Sequence, residues 1–450
     1  MIHRYRQNTM NIVLDVESGA IHIVDDIVYN MLEFFEQMPK EKLYDEMSDK
    51  YAVSDLKEAY NEILQLTVEG LLFSEFDYSE TAQNEALPVV KALCLNVAHD
   101  CNLRCGYCFA GEGEYGLKRE MMSIKTGKKA IDFIINNSGN RHNLEIDFFG
   151  GEPLMNFDVV KKIVEYARAE EKKHNKNFRF TMTTNGLLLD DENLIYINKH
   201  MHNLVLSLDG RKIVNDKMRK TVSGDSCYDI ILPKLLKAAN SRGQDNYYVR
   251  GTFTHHNLDF SKDVLHLADL GFKQISVEPV VAGDDKDYAI KKADLPKIYK
   301  EYELLTNEMI SRFGKEDDFN FFHFMIDLEG GPCLAKRLAG CGAGTEYLAV
   351  TPDGYLYACH QFIGNEKYKL GDVESGIASG LTKEFKNLNV FTKEDCKNCW
   401  AKYYCSGGCA ANALNFNNDL KIPYEIGCEI QRKRTECAIA LKCAYYLLPK

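Results

Sequence analysis

Apolar positions along this chain follow two different periods, and the change between them divides it. Near the N-terminus, Asn11 to Val16 and Ala20 to Val24 have strand character, joined by Glu17-Ser18-Gly19, a hairpin signal. Apolar residues then recur at helical spacing through Ile27, Val28, Met31, Leu32 and Phe35, and again through Leu56, Ala59, Tyr60, Ile63 and Leu64. Gly70 ends the second run, and Leu71-Leu72-Phe73 reads as a returning strand. These elements make a first domain, residues 1–76. The polar run from Asp77 to Leu87 falls in a linker, 77–90.

Beyond Pro88 strands and helices alternate. Strand-like runs cover Ala92–Val97, Glu145–Phe149, Phe178–Thr183, Leu204–Leu208, Tyr247–Phe253 and Gln274–Glu278. Helical patterns lie between them, among them Lys129–Asn136, Val159–Ala169 and Tyr228–Ala239. Six strands separated by helices predict an α/β fold of parallel βα units, a partial (β/α)6 barrel of the TIM type over 91–315. Unusual residues sit just past each strand: a cysteine loop, Gly150-Gly151-Glu152-Pro153, Thr184-Asn185-Gly186, Ser207-Leu208-Asp209-Gly210, Thr254-His255-His256 and Glu278-Pro279. In a βα barrel these strand ends form one functional mouth. Asp284 to Lys315 reads as a charged connection ending in a helix. Residues 316–450 turn short, irregular, glycine-rich and cysteine-rich, with no repeats or low-complexity tracts.

Composition narrows the function classes. The 450 residues are 45% hydrophobic and 27% charged, as in ordinary globular proteins. A formal charge of -11 argues against general binding to nucleic acid or an anionic membrane. The N-terminus lacks the apolar run of a signal peptide, and no stretch is long enough to span a bilayer, so the cytoplasm is the expected compartment. Fifteen cysteines are then the anomaly. Reducing compartments disfavour disulfides, and clustered cysteines there bind metal.

The sharpest cluster is Cys101, Cys105 and Cys108 in Cys-Asn-Leu-Arg-Cys-Gly-Tyr-Cys. Three thiolates leave one iron of a cubane without a protein ligand, open to a small molecule. Zinc fits less well, because the spacing misses the paired C-x2-C pattern and no fourth ligand lies nearby. Gly150, Gly151 and Glu152 alone would read as a tight turn with a capping acid. Ser207, Asp209 and Arg219 divide evenly between turn or surface residues and ligand contacts, and an Asn185-Gly186 turn needs no ligand to explain it.

CxxxCxφC after a first barrel strand, with Gly-Gly-Glu-Pro after the second, resembles the radical S-adenosylmethionine (SAM) enzymes. The resemblance implies that Cys101, Cys105 and Cys108 hold a [4Fe-4S] cluster whose open iron takes the amino and carboxylate groups of SAM. An electron then cleaves SAM to a 5′-deoxyadenosyl radical. It also implies cofactor contacts at Tyr107, Gly150, Gly151, Glu152, Ser207, Asp209 and Arg219: Glu152 accepting from the SAM ammonium, Ser207 and Asp209 bonding its ribose or carboxylate, Arg219 pairing with the carboxylate. A one-electron donor such as flavodoxin or ferredoxin is the implied redox partner.

The later cysteines are Cys341, Cys359, Cys396-x2-Cys399-x5-Cys405-x3-Cys409 and Cys428. This pattern resembles a SPASM domain, an auxiliary-cluster module of peptide- and protein-modifying radical enzymes. The alternative is a pair of zinc-ribbon knuckles. By resemblance Cys396, Cys399, Cys405 and Cys428 close one cluster, making three [4Fe-4S] clusters in all. Cys341, Cys359 and Cys409 leave the other one ligand short, to be supplied by Cys333 or by a substrate thiolate. His360, beside Cys359, is a candidate acid–base residue. Trp400, beside Cys399, is expected to shield a cluster from solvent. Cys94, Cys227, Cys437 and Cys443 fit no ligand spacing, and Cys94 reads as a core residue.

The N-terminal order resembles a small winged helix and the leader-recognition element of enzymes that modify ribosomally made peptides. Such an element binds an extended leader as an added strand. Its acidic helices, with Glu33, Glu36, Glu41, Asp45, Glu46 and Asp49, fit nucleic acid poorly. Together the three parts resemble the maturases of six-cysteine (SCIFF) peptides, down to the run from Asn11 to Gly19 continuing through Val24-Asp25-Asp26. The implied activity is thioether formation on a leader-bearing, cysteine-rich precursor peptide. Two other readings remain at this stage: oxidation of a protein cysteine or serine to formylglycine, and a zinc-stabilised binding module.

Overall fold

The computed structural model describes residues 1–75, 89–328 and 334–448. Most of the predicted linker 77–90, and Cys333, lie outside them. The N-terminal unit opens with β1 (Ile2–Gln7), β2 (Met10–Asp15) and β3 (Ile21–Val24), an antiparallel sheet in the order β1-β2-β3, followed by α1 (Asp26–Met31), α2 (Lys40–Met47) and α3 (Val53–Val68). The predicted hairpin is β2–β3. The predicted wing strand at Leu71–Phe73 is absent: this stretch is irregular, with Phe73 at φ +51° and Leu72 plugging the core.

The third strand is β1, and its sequence explains why pattern reading misses it. Ile-His-Arg-Tyr-Arg-Gln alternates without an apolar face. Arg4 and Arg6 point one way, their guanidinium carbons 4.9 and 4.6 Å from the Tyr29 ring centroid. His3, Tyr5 and Gln7 point the other way, onto the C-terminal helix Glu425–Leu447. The Tyr5 hydroxyl donates to the Glu436 carbonyl at 2.8 Å, and Gln7 Nε2 to Cys437 Sγ at 3.3 Å.

All six predicted barrel strands form: β4 (Ala92–Ala98), β6 (Asn143–Gly150), β7 (Asn177–Thr184), β8 (Asn203–Ser207), β10 (Tyr247–Phe253) and β11 (Gln274–Pro279). Between them come the short β5 (Leu103–Cys105) and β9 (Arg219–Thr221), which form a two-stranded ribbon with each other. The parallel order is β11-β10-β8-β7-β6-β4. Helices Ile124–Asn137, Phe157–His174 and Tyr228–Ser241 occupy the predicted positions. β4 is buried at every residue, as a central parallel strand with a continuous apolar run should be.

The sheet runs past both ends of the predicted barrel. β12 (Asn320–Phe321) adds in parallel to β11, and β13 (Tyr347–Val350) adds in parallel to β4. From β13 the sheet continues antiparallel through β14 (Tyr355–Tyr357), β15 (Lys369–Asp372) and β16 (Gly376–Ile377). The cysteine-rich segment thus shares the barrel's sheet. It is also less irregular than its composition implies, because the 23-residue C-terminal helix packs along the connecting helix Leu295–Arg312.

Tyr5, Met10, Ile12, Leu14 and Val16 share a buried cluster with Ile439, Ala440 and Cys443. Truncation at residue 76 uncovers that apolar face, so the shortened chain is expected to melt at a lower temperature than the full chain. Equal melting temperatures in calorimetry would show that the seam contributes nothing.

Candidate active site

The cysteine loop leaves β4 and is held from two sides. On one, β5 pairs antiparallel with β9, setting Cys105 opposite Arg219 and Arg104 opposite Lys220. On the other it meets the turn after β6, where Gly151 N donates to Ala98 O at 2.8 Å and Glu152 N to Asp100 O at 3.0 Å. A Cβ on Gly151 would stand 2.1 Å from Asp100 O, and one on Gly150, at φ +123°, 2.4 Å from Ala98 O. The glycine pair therefore seats the loop's own backbone, a close approach that any side chain would block. The three thiols face a cavity of about 450 Å³, which Gly150, Gly151, Glu152 and Ser207 also line.

The anticipated contacts divide between cavity wall and support. Glu152 is buried and lines the cavity, but its Oε1 accepts from Leu154 N at 3.0 Å and Thr184 Oγ1 at 2.8 Å, and its Oε2 from Asn185 N at 2.8 Å. Burial raises its carboxyl pKa despite these donors. It staples three strand ends and keeps lone-pair capacity on Oε2. Asp209, also buried, lies behind the cavity wall. Its carboxylate accepts from the Tyr107 hydroxyl at 2.8 and 2.7 Å and from Thr252 N at 3.1 Å. Arg219 NH1 donates to the Tyr107 hydroxyl at 3.0 Å and lies 3.8 Å from Asp209. Burial opposes the Arg219 charge, but Tyr107, Cys105 and Asp209 hold it protonated. Asp209 is thus placed to support Tyr107 and Arg219, which themselves line the cavity.

His360 lines the same cavity, its ring centroid 5.0 Å from that of Phe149 and 5.4 Å from that of Phe109. Its buried Nδ1 has no partner among the described residues. Burial, aided by Arg250, pushes its pKa down to about 4. Trp400 departs from expectation: it stacks flat on His3 of β1, 3.7 Å between centroids and 3° between planes, so it seals a domain seam.

The later cysteines fall into two neighbourhoods. Cys396, Cys399, Cys405 and Cys428 surround a second cavity of about 440 Å³. Burial, then Cys405, Cys396 and Cys399, push the Cys428 thiol up to about 12. Burial does the same at Cys359, where Cys409 and Cys341 are the neighbouring thiols. Cys409 lines the first cavity, facing the same space as Cys101, Cys105 and Cys108. Among the described residues no three His, Cys, Asp or Glu side chains close on a single ion. Cys101, Cys105 and Cys108, and separately Cys396, Cys399, Cys405 and Cys428, instead border cavities with room for a polynuclear group, so these two donor sets fit iron–sulfur clusters.

Pattern reading missed Arg250 and placed Glu278 at the mouth without a role. The two, 3.3 Å apart, line the cavity from β10 and β11. The signal for Arg250 was a lone charge inside the apolar run Tyr-Tyr-Val-Arg-Gly-Thr-Phe. Asn185 does more than turn the chain: its Nδ2 donates to Asn102 Oδ1 at 2.7 Å and lies 3.6 Å from Cys101 Sγ.

The family model of the Radical SAM superfamily matches residues 95–270, and that of the SPASM iron–sulfur cluster-binding domain matches residues 341–400. Residues 95–270 are therefore a radical SAM domain and residues 341–400 a SPASM domain. SAM and iron–sulfur clusters are accordingly its cofactors. Among curated relatives, the radical SAM cyclopropyl synthase TigE of Paramaledivibacter caminithermalis is 21% identical over 87% of this chain and 84% of its own. The cysteine-type anaerobic sulfatase-maturating enzyme of Clostridium perfringens (strain ATCC 13124) is 23% identical over 72% of this chain and 89% of its own. The subtilosin biosynthesis protein AlbA of Bacillus subtilis is 24% identical over 75% and 71%. In fold the radical SAM/SPASM chain resembles native anSMEcpe with bound AdoMet, with TM-score 0.66, 20% identity, and 80% of this chain and 100% of that one covered. Streptococcus suis SuiB bound to S-adenosylmethionine gives TM-score 0.55 at 17% identity over 95% and 98%. Among the described residues no helix is long and apolar enough to cross a membrane.

Asp209→Leu leaves the Arg219 guanidinium buried without its carboxylate. It is expected to lower stability by about 3–5 kcal/mol, read as a fall in melting temperature. An unchanged melting curve would show that Asp209 does not carry that charge.

Proposed function

We propose that this radical SAM/SPASM protein is a cytoplasmic maturase of a ribosomally synthesised, cysteine-rich peptide, joining cysteine sulfur to carbon in intramolecular thioether crosslinks. The observation that carries the reading is the position of Cys409. It belongs to the three-thiol group with Cys341 and Cys359, yet it opens into the cavity of Cys101, Cys105 and Cys108. In this reading Cys101, Cys105 and Cys108 hold one [4Fe-4S] cluster. Cys396, Cys399, Cys405 and Cys428 hold a second. Cys341, Cys359 and Cys409 hold a third, with a position left for Cys333 or for a substrate thiolate. When bound and reduced, the first cluster supplies an electron that cleaves SAM to a 5′-deoxyadenosyl radical able to abstract hydrogen.

The chain's own residues supply binding and orientation. Tyr107 and Arg219, set by Asp209, and the turn at Gly150, Gly151 and Glu152 form the wall against which SAM is placed. Ser207 offers a hydroxyl from the end of β8. Phe109 and Phe149 pack their rings beside His360. A peptide leader is proposed to add to β3, which among the described residues pairs only with β2 and so offers an edge. A flavodoxin or ferredoxin is the proposed reductant.

The alternative, conversion of a protein cysteine or serine to formylglycine, draws support from the relatives named as sulfatase-maturating enzymes. It gives no task to the edge of β3. Incubating reduced enzyme with SAM and a cysteine-rich precursor is expected to lower peptide mass by two hydrogens per crosslink. Release of 5′-deoxyadenosine with unchanged peptide mass would overturn the thioether reading, and loss of peptide sulfur, or loss of two hydrogens with every thiol still open to alkylation, would install the alternative. Deletion of residues 1–76 is a poor discriminator, since it also strips the C-terminal helix. A proline at Ile23, on β3, is the cleaner test, expected to raise KM for the full-length precursor while leaving leaderless peptide unaffected.

His360 has a folded pKa near 4, below the ordinary imidazole value, so it is neutral throughout the physiological range. Turnover between pH 6 and 8 is therefore expected to show no ionisation that His360→Gln removes. An acidic limb near the ordinary imidazole pKa of about 6.5 that vanishes in that variant would contradict the burial argument.

A further inference from the structure

The turn between β2 and β3 makes contacts that neither the barrel chemistry nor an added leader strand requires. Glu17 Oε1 accepts from Lys402 Nζ at 2.7 Å, and Glu17 Oε2 from the Tyr403 hydroxyl at 2.7 Å. The Lys402 and Glu17 side chains are 6% and 13% exposed. Lys402 and Tyr403 lie in the spacer between Cys399 and Cys405. Lys402 Nζ also reaches the Lys397 carbonyl at 3.3 Å, so one ammonium ties the chain on both sides of Cys399.

Neighbouring contacts act on the same segment. Trp400, next to Cys399, is stacked on His3. His3 Nε2 also meets Glu436 at 3.1 Å, and Glu436 follows Cys428 along the C-terminal helix. The clamp itself is rigid. Buried Asp15 accepts from Glu17 N at 3.1 Å, Ser18 N at 2.9 Å and Ser74 N at 3.0 Å, which locks the turn before Lys402 meets it.

We propose that Glu17 is a positioning residue for the four-thiol site: through Lys402 and Tyr403 the N-terminal domain holds the Cys399–Cys405 segment in its ligating shape. The proposal rests on the reading that Cys396, Cys399, Cys405 and Cys428 hold a cluster. The physical reason is the buried ammonium. Deprived of its carboxylate, Lys402 must turn outward to water, and the segment carrying two of the four thiols turns with it. The same turn leads directly into β3, so the β3 edge and the four-thiol site are joined by one short, rigid connection.

The test uses anaerobically reconstituted full-length protein and needs no peptide. Glu17→Ala is expected to lose auxiliary-cluster iron to a chelator about tenfold faster than the wild type, with an altered auxiliary EPR signal. The signal of the Cys101, Cys105 and Cys108 site, and its response to SAM, should stay as in the wild type. Glu17→Gln keeps an acceptor for Lys402 and is expected to lie between the two. Lys402→Met combined with Glu17→Ala should release iron no faster than Glu17→Ala alone. Wild-type iron release and EPR in Glu17→Ala, or additive effects in the double variant, would overturn the proposal. If Glu17→Ala does not fold, wild-type behaviour in both Glu17→Gln and Lys402→Met would do the same. A wild-type protein that holds no iron at the four thiols overturns the cluster reading beneath it.

Discussion

Arg219 is a guanidinium in the interior, 7% exposed, and its charge has to be met where it lies. Meeting it orders the rest of the site. Tyr107 and Asp209 converge on it, which fixes the residue between Cys105 and Cys108 against the end of β8. Arg219 also stands opposite Cys105 in the β5–β9 ribbon, so its backbone and its side chain hold the same loop. The loop is then closed by the glycine turn after β6 and by Asn185 after β7. Three successive strand ends are thereby tied to three cysteines, and the cavity beside them is the space this tying leaves.

The cysteine-rich segment is joined to that arrangement by backbone as well as by packing. β13 lies on β4 in parallel register, Leu348 beside Leu93 and Ala349 beside Cys94. The strand that launches the cysteine loop is therefore bordered by the strand that leads, through β14, to Cys359 and His360. This explains how a histidine 252 positions after Cys108 comes to line one cavity with it. Strand pairing, with its fixed spacing between neighbours, sets where the later thiols can stand relative to the first.

What the chain discloses before it is folded follows from the range of each interaction. The six barrel strands were legible because a buried parallel strand needs an apolar run of its own, and the motifs were legible because they follow those runs. The grouping of the later cysteines followed from a resemblance in spacing, and the two thiol neighbourhoods lie in the same groups. β1, the wing that does not form, the C-terminal helix and the place of Trp400 were not legible. Each depends on a face presented by a distant element: Tyr5 and Gln7 are buried against a helix more than 400 residues away in sequence. Asp209 was read as a ligand contact because its location after β8 was visible, while its partner Tyr107, 102 residues earlier, was not.

Charge also distinguishes the three groups of thiols. Burial raises a member of each, Cys105, Cys359 and Cys428, so holding these as thiolates calls for positive charge or N–H donors nearby. Arg219 supplies it to Cys101, Cys105 and Cys108 together. Arg432 stands beside Cys399 and Cys428, and buried Lys393, its pKa lowered by burial, is adjacent to Cys396, Cys405, Cys409 and Cys428. At Cys359 the backbone N–H groups of Gln361 and Phe362 act in the same direction. The three-thiol group thus relies on backbone N–H donors and on a lysine that it shares with the four-thiol group.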